Sequence, residues 1–555
     1  MAQCPVRMPT VLAPSRHQLL LALLAAAIAW TAWFSGAGQI GLVGPDEPRY
    51  VSIARAMAES GDWVTPRLNG EPWFEKPVLY YWGAAAAFTL FGESDAAARL
   101  PSAIAMTLAA LALLLLAWRR SSDTTSVLAF MLPSMLAPIA FARAASTDMV
   151  FAAMLTLAFV AAAHLAELAV AEGTSLAAAG QARTRRAWRM AWGAALALAV
   201  LAKGPAAVLL AGASVGAWAL LMRRWRLAFA FAHPVALATF AVLALPWYVL
   251  CAMRNPAFLR VFLFEHNVQR FLTPVFAHEQ PWWYFGGVLL AGLLPWTPLL
   301  VSGVRHAWRR AGSGDAVAAL ALCWAVVPFV FFSVSRSKLP GYILPMFPPL
   351  TLLLADALAA ALAGRDRGRV LMAGVGAMLA AAGVALATAA ASLVPAAFVP
   401  AVEALGLTRW GVAMAAAGAG IVLLALRRRG FLAVGLTATV MAILVIGVTS
   451  RIMPSLDPLL TSRAAAAAAI REARGGPIYE FGLERTMNFG LDYYLRRDVP
   501  QWSPEAGEGV VVVRATTART FAASGYLVEI VERISPDAVI TKVQRLDGMR
   551  FLRLN

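Results

Sequence analysis

The chain is short of charge, short of lysine and short of cysteine, and each shortage excludes something. Charged residues are 14% of its 555 residues and apolar residues 60%. A soluble globular domain carries about 25% charged residues, so a single water-soluble domain is excluded. Cys4, Cys251 and Cys323 are an odd number at no disulfide or metal-ligand spacing, so no disulfide framework is implied. Sustained apolar/polar alternation is missing, which removes a transmembrane β-barrel. Internal repeats are missing too. Lysine supplies only four of the 47 basic residues: Lys76, Lys203, Lys338 and Lys542.

What is present is a series of apolar runs. Crossing about 30 Å of hydrocarbon takes about 20 helical residues, and the runs predict a polytopic α-helical membrane protein. Thirteen spans are expected, near 18–36, 99–117, 125–142, 149–170, 187–202, 205–222, 228–250, 282–302, 315–333, 342–363, 370–392, 409–426 and 431–449. The first run follows Arg16 and reads as a retained helix rather than a cleaved signal segment. With the N-terminus inside, six arginine clusters fall on the cytoplasmic side, at 119–120, 183–186, 223–226, 305–310, 365–369 and 427–429. That is the positive-inside pattern. Residues 1–449 form the membrane domain, and 450–555 a small soluble α/β domain on the opposite side. In that tail "AAAAAAIREA" reads as helix, and "GVVVVRA", "YLVEIVERI" and "MRFLRLN" as strands.

The first outer loop, 37–98, has structure of its own. Pro48 suits the first turn of a helix that Gly61 ends, with Tyr50, Ile53, Ala54 and Met57 on one face. A second segment, 77–91, runs from Pro77 to Gly92. At about 15 residues it is too short to cross, so both helices are expected at the membrane surface.

The outer loops gather a particular set of groups: Asp46, Glu47, Arg49, Glu75, Lys76, Asp148, Lys203, Glu265, His266, Arg270, Lys338 and Tyr342, with Tyr50 beside the first three. Cations here oppose the positive-inside bias, and three of the four lysines are among them. One interfacial lysine is explained by snorkelling. Several lysines and arginines together point to a phosphate-bearing ligand, an ammonium acting as a point charge and a guanidinium as a bidentate donor. Asp46 and Asp148 each precede a predicted helix and either alone reads as a cap; beside the cations they are candidate cavity acids. His266 and Arg270 are spaced i, i+4 in "EHNVQRF" and share a helix face.

"GPDEPRY", "WFEKPVLYYW", the Asp148 loop, "LAKGP", "EHNVQRF" and "SKLPGYILPMFPP", in this order, resemble the bacterial aminoarabinose transferase branch of the GT-C membrane glycosyltransferases, a group that includes the protein O-mannosyltransferases. The resemblance covers most of the membrane domain; the tail matches only in placement and size. It implies a GT-C fold with 13 spans, interfacial helices in the first loop and a periplasmic C-terminal domain in a bacterial inner membrane. It implies inverting transfer of 4-amino-4-deoxy-L-arabinose from undecaprenyl phosphate to a lipid A phosphate. It makes Asp46 the leading catalytic carboxylate and Asp148 a second. Lys76, Arg270 and Tyr342 become donor-phosphate ligands and Lys203 a phosphate or acceptor contact. Arg49, Glu47, Tyr50 and Lys338 join the substrate-facing set. Glu75 with His266 resembles part of a metal position, zinc being the candidate; no cofactor is otherwise implied, and the chain is expected to be monomeric.

Three other readings compete. A GT-C enzyme moving a hexose or uronic acid to core, glycan or protein fits the same residues. A lipid flippase or transporter would place polar groups near the midplane, whereas these gather at one surface. A non-catalytic scaffold leaves the lysine placement unexplained.

Overall fold

The computed structural model describes residues 15–171, 178–269, 279–364, 366–389, 392, 405–514, 526–535 and 538–545. Among the described residues every expected span falls mainly on helix. The helix Arg16–Trp33 begins at a capping box, in which the Gln18 N–H donates to Ser15 Oγ (3.2 Å) and the Ser15 N–H to Gln18 Oε1 (3.0 Å). Length and composition, however, single out fewer than 13 crossings. Among the described residues eight helices are long and apolar enough, or ten if each of two bent pairs is one span. The bends are 58° between Ser122–Ser134 and Leu136–Ala142, and 110° between Tyr284–Gly292 and Thr297–Gly312. Pro133 lies at the first break and Pro295 in the second, where a missing N–H interrupts the helical ladder. Helix Ala206–Leu221 has 16 residues, about 24 Å at 1.5 Å per residue, short of the hydrocarbon thickness. Arg16–Trp33 falls outside the set because its first turn, Arg-His-Gln, is polar, and Ala178–Lys203 because Arg183, Arg185, Arg186 and Arg189 fill its first half and Lys203 ends it.

The bundle has two chemically different ends. At one, Arg120 binds Glu167 (2.7 Å) and Asp315 (2.6 Å), and Arg310 binds Asp315 (2.5 Å) and Asp356. Two of the arginine clusters read from the sequence therefore meet at one end and are neutralised there by acids. Helix Thr147–Ala171 runs from there to the other end, with Glu167 near its finish and Asp148 in its first turn. It is the most enclosed candidate span, 94% buried.

At that other end lies the first loop. Helix Asp46–Ser60 stops at Gly61, whose φ of +68° is left-handed and whose N–H closes on the Met57 carbonyl. Helix Leu79–Phe91 stops at Gly92. Between them Asn69 and Gly70 take positive φ (51° and 85°), the requirement of a tight Asn-Gly hairpin. It pairs β1 (Arg67–Leu68) antiparallel with β2 (Glu71–Pro72). The one-sided amphipathic pattern understates how deeply Asp46–Ser60 is enclosed: Glu47 through Ala54 are all buried.

What covers that helix is the C-terminal part of the chain. Strands β3 (Ile478–Phe481), β4 (Gly509–Arg514), β5 (Tyr526–Ser535) and β6 (Ala538–Arg545) form a sheet of order β3-β4-β6-β5. β3 and β4 are parallel, Ile478 opposite Val510; the other pairs are antiparallel. Helix Arg463–Ala473 presents Ala465, Ala466, Ala468 and Ala469 to Val510, Val512 and Ile540, an alanine face that lets a helix lie close on a sheet. Helix Arg485–Leu495 joins the same core through Leu491 and packs on the first-loop helix.

Candidate functional site

A cavity of about 470 Å³ opens at this end, and it collects most of the singled-out residues: Asp46, Tyr50, Glu75, Lys76, Asp148, Lys203, His266 and Tyr342. Each arrives by a local rule. Asp46 and Tyr50 occupy the first turns of the first-loop helix. Glu75 and Lys76 follow the Asn-Gly hairpin, between Pro72 and Pro77, which stiffen the segment. Asp148 sits in the first turn of its helix and Lys203 in the last turn of its own, the termini where an acid and a base are favoured by the helix dipole. Gly204 (φ +92°) then reverses the chain and Pro205 begins the next helix. Tyr342 lies in the 3₁₀ turn Pro340–Met346.

The charges form two linked groups. Asp148 accepts from Lys203, and the Lys203 ammonium lies over the rings of Tyr342 (5.0 Å) and Phe151 (5.4 Å). In the second group Arg49 bridges Asp46 and Glu75, the latter at 3.1 Å, and Glu75 also holds Lys76 at 3.1 Å. The Asp46 side chain remains 48% exposed while Glu75 is 8% exposed. Asp46 is thus the accessible acid of its group. Burial pushes the Tyr50 phenol well above its ordinary pKa, and the Glu75 and Asp46 carboxylates push it further; it stays a neutral hydrogen-bonding group. The apolar wall is made by Leu209, Phe331, Phe332 and Leu339.

Three expected contacts take other parts. Glu47 faces away from the cavity: it binds Arg99 at 2.7 Å and accepts from the N–H groups of Val43 (2.8 Å) and Ala145 (2.7 Å). Arg99 in turn donates to the carbonyls of Ala37, Ile40 and Gly41. This pair ties the first loop to the bundle. Lys338 is buried and donates to the Ser335 carbonyl at 2.7 Å, so its charge is turned inward. Arg49 stands behind Asp46, 4% exposed, and reaches substrate only through the acids it holds. Arg270 lies outside the described residues. Glu75 and His266 line the same cavity, yet Glu75 is already bound by two cations, and no group of three His, Cys, Asp or Glu able to hold a metal occurs among the described residues.

Sequence reasoning passed over Arg99, Gly341 and Phe489. Arg99 had no partner visible along the chain, because Glu47 is 52 positions away. Gly341 lies against the Asp148 carboxylate: a β-carbon there would be 2.7 Å from Cγ and Oδ2 of Asp148 and 2.9 Å from Phe141 Cε1. Its place inside "KLPGYILP" was the available signal. Phe489 is treated below.

Residues 18–262 match the family described as dolichyl-phosphate-mannose-protein mannosyltransferase. The undecaprenyl phosphate-alpha-4-amino-4-deoxy-L-arabinose arabinosyl transferase of Edwardsiella ictaluri is 34% identical over 314 residues, 56% of this chain and 54% of that protein. The protein of the same description in Pseudomonas aeruginosa strain LESB58 is 36% identical over 323 residues, 57% and 56% of the two chains. The chain therefore spans about half the length of the curated relatives it matches. The crystal structure of ArnT from Cupriavidus metallidurans bound to undecaprenyl phosphate is similar at a TM-score of 0.78 and 26% identity, over 95% of this chain and 98% of that one.

Proposed function

We propose that this chain, an ArnT-like membrane glycosyltransferase of the GT-C type, moves 4-amino-4-deoxy-L-arabinose from undecaprenyl phosphate to a phosphate of lipid A. The observation that carries the reading is the single cavity in which two lysines, two accessible acids and an apolar wall converge. The apolar wall suits a polyprenyl chain and the polar groups suit a sugar phosphate. The relatives' name gives this donor and this sugar, and the similar crystal structure holds undecaprenyl phosphate. In this reading the site lies at the periplasmic face of a bacterial inner membrane, the chain crosses it 13 times, and the C-terminal α/β domain is on the same side.

In this reading an acceptor phosphate oxygen attacks the anomeric carbon from the face opposite the donor phosphate. The bond from that carbon to the donor oxygen breaks, its electron pair leaves with undecaprenyl phosphate, and configuration inverts. The transition state is oxocarbenium-like. Lys76 and Lys203 stabilise the departing phosphate, which needs charge more than a proton. A phosphate acceptor is already ionised at neutral pH, so no general base is required for it. Asp46, fixed by Arg49, accepts hydrogen bonds from the sugar's ammonium and opposes the positive charge developing on the ring. Asp148 holds Lys203 in place. No step is routed through a metal.

The test is transfer by purified protein from undecaprenyl-phosphate aminoarabinose to lipid A, with the product weighed by mass spectrometry. Wild type should add one aminoarabinose mass, and Asp46→Asn should lose at least about 100-fold in rate while remaining folded. Wild type that uses only a hexose or uronic acid donor would refute the aminoarabinose assignment; full activity in Asp46→Asn would reduce Asp46 to a first-turn partner of Arg49.

A further inference from the structure

The C-terminal part of the chain is fastened to the first loop and its neighbours at several points among the described residues. The Leu42 N–H donates to the Tyr494 hydroxyl at 2.8 Å and the Gly41 N–H to Asp457 at 2.7 Å. Arg55 donates to the Tyr493 carbonyl at 2.8 Å and lies over the Tyr493 ring at 4.8 Å. Arg496 binds Glu59 (2.7 Å) and Glu93 (2.8 Å). A domain that only needed docking would be served by these contacts. One further contact goes to the site itself. Phe489, on the helix Arg485–Leu495, places its ring 5.6 Å from the Arg49 guanidinium.

Arg49 is an unusual side chain to hold still. It is nearly buried, it has acids on two sides, and three aromatic rings surround it: Tyr50 at 5.5 Å, Trp73 at 5.7 Å and Phe489 at 5.6 Å. Tyr50 and Trp73 belong to the first loop. Phe489 alone of the three comes from the C-terminal domain. Without it the guanidinium loses one wall, gains room to turn toward solvent, and leaves Asp46 with no fixed partner. A cation–π contact of this kind helps keep a long, rotamer-rich side chain in one arrangement.

We infer that the C-terminal domain is a working part of the transfer site, and that Phe489 is a positioning residue that holds Arg49, and through it the Asp46 carboxylate, in the reactive geometry. The inference rests on the proposed reading for its catalytic half, while the contact itself can be tested without substrate.

The experiment compares Phe489→Leu, which keeps apolar bulk and removes the aromatic face, with Phe489→Tyr, which keeps the face. Arg496→Gln serves as a docking control that loosens the domain without touching Arg49. Two readouts are taken on the full-length protein in detergent. In the transfer assay, Phe489→Leu should lower kcat about tenfold with donor KM within about twofold, Phe489→Tyr should stay near wild type, and Arg496→Gln should lower Tm with little change in kcat. In the second, phenylglyoxal labelling of Arg49 is followed by peptide mass spectrometry. Labelling should quicken several-fold in Phe489→Leu and stay slow in wild type and Phe489→Tyr. Unchanged kcat and unchanged labelling in Phe489→Leu would overturn the inference, as would equal losses in the Leu and Tyr variants that merely follow Tm. If wild type transfers no aminoarabinose, the proposed activity falls, and the labelling result still decides whether Phe489 shields Arg49.

Discussion

Gly341→Ala adds one methyl group at a position where the backbone tolerates it, since Gly341 is not among the residues with positive φ. The effect is therefore steric. The new carbon would meet Cγ and Oδ2 of Asp148 at 2.7 Å and Phe141 Cε1 at 2.9 Å, all closer than carbon atoms pack. Phe141 sits on the bundle side and Asp148 is 26% exposed, so the carboxylate is the group that yields. Overpacking of this kind costs about 1–3 kcal/mol. It also pulls Asp148 from Lys203, and a displacement near 1 Å at a reacting centre lowers rate by up to about 100-fold. We expect a kcat loss of roughly 10- to 100-fold in the transfer assay, accompanied by a lower Tm. The decisive comparison is thermal stability in two backgrounds. With Asp148→Ala already present, the two nearest contacts, Asp148 Cγ and Oδ2, are gone, so adding Gly341→Ala should cost clearly less than it does alone. The same loss of stability in both backgrounds, or a wild-type rate in the single variant, would refute the steric account.

Two more outcomes follow from groups outside the cavity. Arg99→Met leaves Glu47 buried without its cation and should cost about 3–5 kcal/mol, seen as a steep fall in Tm whatever the substrate. In the C-terminal domain, burial pushes the Asp492 carboxyl up to about 6, aided by nearby Asp498 and Glu480 and opposed by the Val499 N–H. A folded pKa above the ordinary 3.8 means the protonated form is favoured by folding. Its contribution, about 3 kcal/mol by linkage, is full below pH 3.8 and is lost as pH rises through 6. Asp492→Asn should accordingly gain Tm over wild type progressively from pH 5 to 7.5, and a difference independent of pH would contradict the assignment.

The parts of the site that were legible in the sequence are those where a charged residue opposes its surroundings. Lys76 and Lys203 stand out against an arginine-rich chain, and Asp46 and Asp148 mark helix starts beside apolar runs; the structure puts all four on one cavity wall. Residues whose meaning depends on which way the side chain turns were misplaced. Glu47 looked like its neighbour Asp46, but successive helical residues point about 100° apart, and Glu47 turns to Arg99 instead. Lys338 looked like the other outer lysines until its ammonium was seen to close on Ser335, three residues back. The helix positions were legible because apolar runs are long; among the described residues length and composition alone single out eight to ten of the 13 expected crossings, because proline breaks and short helices fail such a test.

The charge inventory around the cavity carries a consequence for ionic strength. Three carboxylates, Asp46, Glu75 and Asp148, face three cations, Arg49, Lys76 and Lys203. Among the described residues these six charges cancel. A donor with one phosphodiester charge and one sugar ammonium is balanced as well, so its entry expels no salt, and its affinity should change little between dilute and physiological buffer. A lipid phosphate carrying a neutral sugar would bring an uncompensated negative charge into the same site, with a cation obliged to follow it in.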